Sequence, residues 1–243
     1  MDDQSKQDYR SFLARRRAEL LERIGQAAHR AGREPSDIQL VAVSKTVGND
    51  EVALAHEVGY SAFGENRPQE LKRKAAAVRE NPDLADVRFH MIGNLQTNKV
   101  NQVLGNAVLV HSLSSVHLAQ AISRRSLALG SVTPCLMEVN VVGEETKKGF
   151  SPDEARAVLE EIASLDGICL KGLMAMAPAR DAAAARRAFS GLRELRDELR
   201  ERSGLEFAEL SCGMSGDFEI AVEEGSTLVR LGRIVFDPTY DDV

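Results

Sequence analysis

The sequence predicts an α/β fold, a single (β/α)8 barrel of the TIM type with an extra N-terminal helix, and three observations carry that prediction. A short apolar run rich in β-branched residues, a polar turn and a helical stretch follow one another eight times along the chain. The 243 residues, 43% of them apolar, suffice for one large core of that kind. No G-x-G-x-x-G turn or P-loop occurs, and the first strand runs into Val43-Ser44-Lys45-Thr46, which argues against an open dinucleotide-binding sheet.

Residues 9–31 place Phe12, Leu13, Leu20, Leu21, Ile24 and Ala28 at helical spacing, with Gly32 as a stop. This is the extra helix, and one barrel domain is expected over about 36–237. Strands are expected at 38–44, 60–64, 87–92, 107–112, 134–141, 169–176, 207–212 and 227–231. Helices are expected at 50–58, 67–80, 97–104, 115–129, 152–165, 181–202 and 217–224. The helix at 181–202 has Phe189, Leu192, Leu195 and Leu199 as its apolar face, with Arg193/Asp197 and Glu198/Arg202 as exposed i,i+4 pairs. The basic run Lys72-Arg73-Lys74, near Glu70 and Glu80, reads as a solvated helix face.

A net charge of −6 offers no positive field to gather nucleic acid or anionic lipid. The N-terminal residues Asp2, Asp3, Lys6, Asp8 and Arg10 do not form a signal peptide, and no apolar stretch approaches the roughly 20 residues of a membrane span. Cys135, Cys169 and Cys212 are scattered without zinc spacing and suit reduced thiols. A cytoplasmic monomer without nucleic-acid or membrane partners is expected.

In such a barrel the functional groups stand at the C-terminal ends of the strands. Val41, Val43 and Lys45 share one strand face, so Lys45 follows the valines inward. A desolvated lysine loses its preference for the ammonium form, and the amine becomes nucleophilic toward an aldehyde. The competing expectation is a lysine that snorkels to solvent or pairs with Glu65. The segment Ser211-Cys212-Gly213-Met214-Ser215-Gly216-Asp217 runs from a strand into a small-residue turn and a helix start, where backbone N–H groups and the Ser215 hydroxyl can cradle phosphate; alternatively Ser215 or Asp217 is a plain N-cap. Val229-Arg230-Leu231-Gly232-Arg233 closes the eighth strand, and barrels often hold phosphate between the loops after strands seven and eight. Arg230 faces the mouth or pairs with a carboxylate such as Glu138. An amine at strand one and a phosphate cradle at strands seven and eight together suit a ligand with both an aldehyde and a phosphate, and pyridoxal 5′-phosphate (PLP) is one.

At these positions the chain resembles the pyridoxal phosphate homeostasis protein family, also described as the proline synthetase co-transcribed type. The resemblance runs from about residue 8 to 237 and rests on six ordered blocks. They are Val41-Ala42-Val43-Ser44-Lys45; Phe63-Gly64-Glu65-Asn66-Arg67 with Gln69-Glu70; Phe89-His90-Met91-Ile92-Gly93-Asn94-Leu95-Gln96-Thr97-Asn98-Lys99; Leu173-Met174-Ala175-Met176-Ala177-Pro178; 211–217; and 225–232. It implies an alanine racemase N-terminal-like barrel (PLP fold type III) with Lys45 as Schiff-base lysine and Arg230 at the pyridine nitrogen. Ser215, Gly232 and the Arg233 backbone hold the phosphate, and Asn66, His90 and Met214 lie near the ring. An arginine leaves the pyridine nitrogen largely unprotonated and the ring a poorer electron sink. Phe89, Cys212 and Asp237 depart from the family's usual tryptophan, methionine and glycine, and Arg233 stands where a small hydroxyl residue is frequent.

Alanine racemases of similar fold use a second domain that supplies a tyrosine base. Only ten residues follow Arg233 here, with Tyr240 among them as an expected surface residue. The expected role is therefore a PLP holder in intracellular PLP homeostasis that touches apoenzymes transiently, with no catalytic residue assigned. The alternative is a weak PLP-dependent racemase-like enzyme. Lys147 or Lys148 is a second candidate aldehyde acceptor, against a solvated loop. His90 and His111 lack a third ligand of suitable spacing, and no metal is expected.

Overall fold

The computed structural model describes residues 2–143, 148–178 and 180–240. Eight parallel strands close in sequence order into one barrel. They are β1 (Gln39–Val43), β2 (Ala62–Glu65), β3 (Arg88–Met91), β4 (Leu109–Leu113), β5 (Thr133–Glu138), β6 (Ile168–Met174), β7 (Glu209–Ser211) and β8 (Leu228–Leu231). Each overlaps its predicted run, and β8 pairs back onto β1 with Val41 opposite Arg230 and Ala42 opposite Leu231.

The α-helices are α1 (Asp3–Arg30), α2 (Asn49–Glu57), α3 (Pro68–Arg79), α4 (Val116–Ala128), α5 (Pro152–Ala163), α6 (Ala182–Ser203), α7 (Phe218–Glu223) and α8 (Arg233–Phe236). The first begins earlier than its apolar spacing indicates because Asp2 caps it, accepting the Ser5 N–H at 2.8 Å. The α-helix expected at 97–104 is instead a 3-10 helix over Thr97–Gln102. Thr97, Asn98 and Asn101 favour α-helix poorly, and Gly105, at φ +72°, turns the chain just beyond. On α6 the pair Arg202–Glu198 forms at 3.7 Å, but Arg193 reaches Glu224 beyond α7 at 3.0 Å and Asp197 is taken by Arg196. A tertiary partner for Arg193 and a sequence neighbour for Asp197 outcompeted the local i,i+4 pair.

Strand alternation divides the side chains into two cores. Val41, Ala62, Leu109, Leu136, Met174 and Leu228 form a separate apolar cluster that plugs the barrel interior. Their strand neighbours Ala42, Phe63, Val110, Met137, Leu173 and Val229 belong to the larger core under the helices. Two residues further along the strands, on the interior side, come Val43, Gly64, His111, Glu138 and Arg230, so a polar layer lies directly above the plug.

The last helix spans four residues and cannot cover the seam between β8 and β1. The N-terminal helix does so, packing against α2, α7 and α8 through buried Leu13, Leu20, Ile24 and Ala28. Tyr9 Oη donates to the Phe236 carbonyl at 2.8 Å, and Arg33 donates to the carbonyls of Val222 and Ser226. The extra helix is therefore part of the barrel wall. Leu20→Ala should lower the free energy of unfolding by about 2–5 kcal/mol, as a buried leucine truncation does, measurable as a shifted urea midpoint.

Candidate functional site

Lys45 lies two residues beyond the last residue of β1, in a turn at the mouth, and its side chain is exposed. The expected desolvation is absent, because the strand that would have carried it inward ends at Val43. Nor does Lys45 pair with Glu65. That carboxylate is fully buried and taken by Lys74 from α3, whose Nζ donates to Glu65 Oε1 at 2.5 Å and to the Ser44 carbonyl at 2.6 Å. The Ser44 hydroxyl donates to the same oxygen at 2.6 Å. The solvated face expected for 72–74 thus fails at Lys74, which is 2% exposed. Lys45 itself makes no hydrogen bond or ion pair among the described residues. Lys74 grips the peptide that precedes it.

On the neighbouring strand β8 the Arg230 guanidinium lies in the polar layer, buried. One Nη1 donates to the Ser211 carbonyl at 2.8 Å and to Ser211 Oγ at 2.6 Å; Nη2 donates to the Ala175 carbonyl at 3.1 Å. Its hydrogen bonds go to these groups and not to Glu138. Ser211 Oγ lies 2.8 Å from His111 Nδ1, and His111 Nε2 lies 2.9 Å from His90 Nδ1. Burial lowers the pKa of His90 to about 4 and pushes that of His111 well down, so both rings are neutral near pH 7. Donor and acceptor roles then follow. Arg230 only donates, so the buried Ser211 hydroxyl is satisfied by giving its proton to His111 Nδ1. His111 therefore carries its proton on Nε2 and gives it to His90 Nδ1, leaving His90 with a proton on Nε2 as the outer end of the chain.

The loops after β7 and β8 hold open donors. The N–H groups of Ser215, Gly216, Gly232 and Arg233 and the Ser215 hydroxyl meet no acceptor among the described residues. Asp217, at the N-cap position of α7, does not cap it, and its Oδ1 accepts the Met214 N–H at 2.6 Å. Gly213 has φ +92°, and a Cβ there would lie 2.6 Å from the Ala221 Cβ, so only glycine lets the turn pack this closely. Because β8 pairs with β1, these donors stand beside the strand that leads to Lys45.

Asn66 is half-buried after β2, and Met214 is exposed after β7. Lys148 is exposed, with its charge favouring an ionised Glu138, and Lys147 lies outside the described residues. Tyr240 is half-buried, packed on the core with the Arg233 guanidinium 5.4 Å from its ring centroid, so the tail does not float.

The sequence matches the family model of the alanine racemase N-terminal domain over residues 17–238. It is 40% identical over 222 residues to the pyridoxal phosphate homeostasis protein of Aquifex aeolicus, spanning 91% of this chain and 96% of that protein. The chain belongs to the pyridoxal phosphate homeostasis protein family. A solved structure of a similar protein, PipY of Synechococcus elongatus with PLP bound, matches with a TM-score of 0.79 at 33% identity, over 92% of this chain and 99% of PipY. An alanine racemase of Clostridium difficile, at 16% identity and a TM-score of 0.66 over 92% of this chain and 57% of its own, shares the fold.

For this family member, Lys74 and Ser211 are the residues that sequence reasoning missed. Lys74 had a signal: Leu71, Lys74, Ala75 and Val78 share one helical face, so a lysine stood in an apolar stripe. Ser211 had none beyond its place in the strand-seven motif.

Lys74→Met should destabilise the protein by about 3–5 kcal/mol, since it strands a buried carboxylate. Lys74→Met with Glu65→Gln should recover much of that loss in urea unfolding, because no buried charge is then left alone. The histidines predict a pH effect. Folded His90 titrates near 4 and an unfolded histidine near 6.5. Below about 6.5 the unfolded state binds the extra proton, so stability falls as pH drops and the loss levels off below about 4, on the order of 3 kcal/mol for His90. Glu138 and Asp217, whose pKa values burial raises, act with the opposite sign. The test is therefore the difference from His90→Gln, which should show a shallower loss of stability between pH 6.5 and 4 in urea titrations.

Proposed function

We propose that the chain holds PLP as a Schiff base on Lys45 and takes part in intracellular PLP homeostasis, keeping a reactive aldehyde bound and passing it to PLP-dependent apoenzymes. The observation that carries this is the meeting, on adjoining strands of one barrel mouth, of an unpaired lysine amine with open N–H and hydroxyl donors after β7 and β8. An aldehyde and a phosphate on one small molecule match that pair of features. The PLP bound to PipY, a relative over nearly its whole length, supports the same ligand.

The fit extends to the other residues. Ser215, Gly232 and the Arg233 backbone would take the phosphate, with the N–H of Gly216, in the same small-residue turn, adding a donor. Arg230 keeps its Nε–H and one Nη2 hydrogen without an acceptor among the described residues, and these suit a pyridine nitrogen that accepts. Asn66, His90 and Met214 would flank the ring. The cofactor would supply the aldehyde and an electron-withdrawing ring.

Holding is favoured over the racemase-like alternative by two features of the chain's own residues. Arg230, a cation hydrogen-bonded into the barrel, has no carboxylate's capacity to stabilise a protonated pyridine, so the ring stays a weak electron sink. His90 ends its relay with the proton on Nε2 and so presents a donor there, whereas removal of an α-proton needs a base. Among the described residues no helix is long and apolar enough to cross a membrane. A cytoplasmic monomer that meets apoenzymes transiently is the form proposed.

The purified chain mixed with PLP should show a visible absorption band that Lys45→Ala lacks. Borohydride reduction followed by peptide mapping should fix the label on Lys45. A label on Lys148 with none on Lys45, or no band at all, overturns the assignment. Holo-protein should also reactivate a PLP-dependent apoenzyme faster than PLP dissociates spontaneously.

A further inference from the structure

Beside the mouth, between the loops that follow β2 and β3, lies a cavity of about 210 Å³ walled by Asn66, Arg67, Gln69, Asn94, Gln96 and Lys99, with Pro68 the only apolar residue at it. Among the described residues no carboxylate lines it. In a chain with a net charge of −6, two cations line this small space, and neither the Arg67 nor the Lys99 side chain makes a hydrogen bond or ion pair among the described residues. Elsewhere surface arginines such as Arg10, Arg30, Arg156 and Arg186 are paired with carboxylates. Glu70 on α3 is bound to Arg73 at 2.8 Å, and the Arg67 charge acts on it only through space.

The walls are held in place. The Ile92 N–H donates to the Glu65 carbonyl at 2.9 Å, and Ser112 Oγ donates to the Gly93 carbonyl at 2.6 Å. A Cβ on Gly93 would lie 2.2 Å from the Asn66 carbonyl oxygen, so the two loops meet backbone to backbone. Val43 of β1 pairs with Gly64 of β2, so Lys45, in the turn after β1, and Asn66, in the loop after β2, follow adjacent strands at the same end of the barrel.

We propose that this cavity is a carboxylate subsite of the mouth, in which Arg67 and Lys99 take the acid group of a small molecule and the side-chain amides of Asn66, Asn94 and Gln96 complete its hydrogen bonds. A planar oxyanion suits an arginine fork beside a lysine, and the volume suits a small acid better than a nucleotide. That the acid is an amino acid rests on the PLP reading of Lys45, since an amine is what a bound aldehyde meets. The oxyanion pocket stands without it.

The test uses the full chain without cofactor, titrated with acetate and with glycine while amide NMR signals of Asn66, Gln69, Asn94 and Gln96 are followed. Saturable shifts at these residues are expected, absent with equal sodium chloride, and about tenfold weaker binding in Arg67→Ala with Lys99→Ala, the loss of roughly one charge-assisted contact or more. Neither side chain is fully buried or paired, so the double variant should keep the wild-type amide spectrum away from the cavity. Lys45→Ala should bind acetate as the wild type does. Shifts that rise linearly without saturation, or that survive the double substitution, overturn the subsite. Tighter binding of inorganic phosphate than of acetate at the same amides overturns its assignment to carboxylates. Failure of the visible band with acetate binding intact would count against PLP on Lys45 and not against this pocket.

Discussion

The Arg230 guanidinium inside the closed barrel is the constraint on which the polar layer depends. Taking a cation out of water costs several kcal/mol unless its N–H groups and charge are answered. Here two backbone carbonyls and a serine oxygen answer them, from Ser211 on the adjacent strand and Ala175 one strand further round. The charge acts beyond those contacts. It draws back down the carboxyl pKa values of Glu138 and Asp217, which burial raises. It also disfavours protonation of His111. One buried arginine therefore acts on the charge state of groups on three other parts of the mouth.

Its second consequence is directional. A guanidinium donates and cannot accept, so Ser211 must pass its proton on, and each histidine must take the tautomer that continues the sequence. The order Arg230, Ser211, His111, His90 is polarised through the barrel from β8 by way of β7 and β4 to β3. A protonated His90 would reverse the last link, placing two donors against each other at 2.9 Å, which agrees with its depressed pKa.

Much of the architecture was legible because a barrel repeats one period eight times and the apolar alternation survives in each strand. The position of Lys45 was legible too, but its burial was not. Side-chain alternation holds only while the chain stays extended, and β1 stops at Val43. The 3-10 segment at Thr97–Gln102 escaped detection because a short stretch with Val100, Val103 and Leu104 spaced as in an α-helix does not reveal its hydrogen-bond register. The relay was hidden for a different reason. His111 and Ser211 are a hundred residues apart, and only barrel closure brings them together. The role of α1 follows from a length that the sequence leaves ambiguous, since the four-residue α8 cannot cover its own seam.

Two lysines near strand one divide two tasks. Lys74 is buried and spent, neutralising Glu65 and holding the Ser44 carbonyl, while Lys45 one residue later is exposed and unspent. Had Glu65 been free, it would have been a carboxylate partner within reach of the strand-one turn. With Glu65 occupied from the outside of the barrel, the described residues give Lys45 no competing partner. An amine of that kind, open to solvent and with no base poised opposite it among the described residues, is suited to capture and release of an aldehyde, because imine formation sheds a water, hydrolysis takes one back, and neither needs the proton of a substrate carbon. The same openness that would weaken a catalyst suits a protein whose task is to let its ligand go.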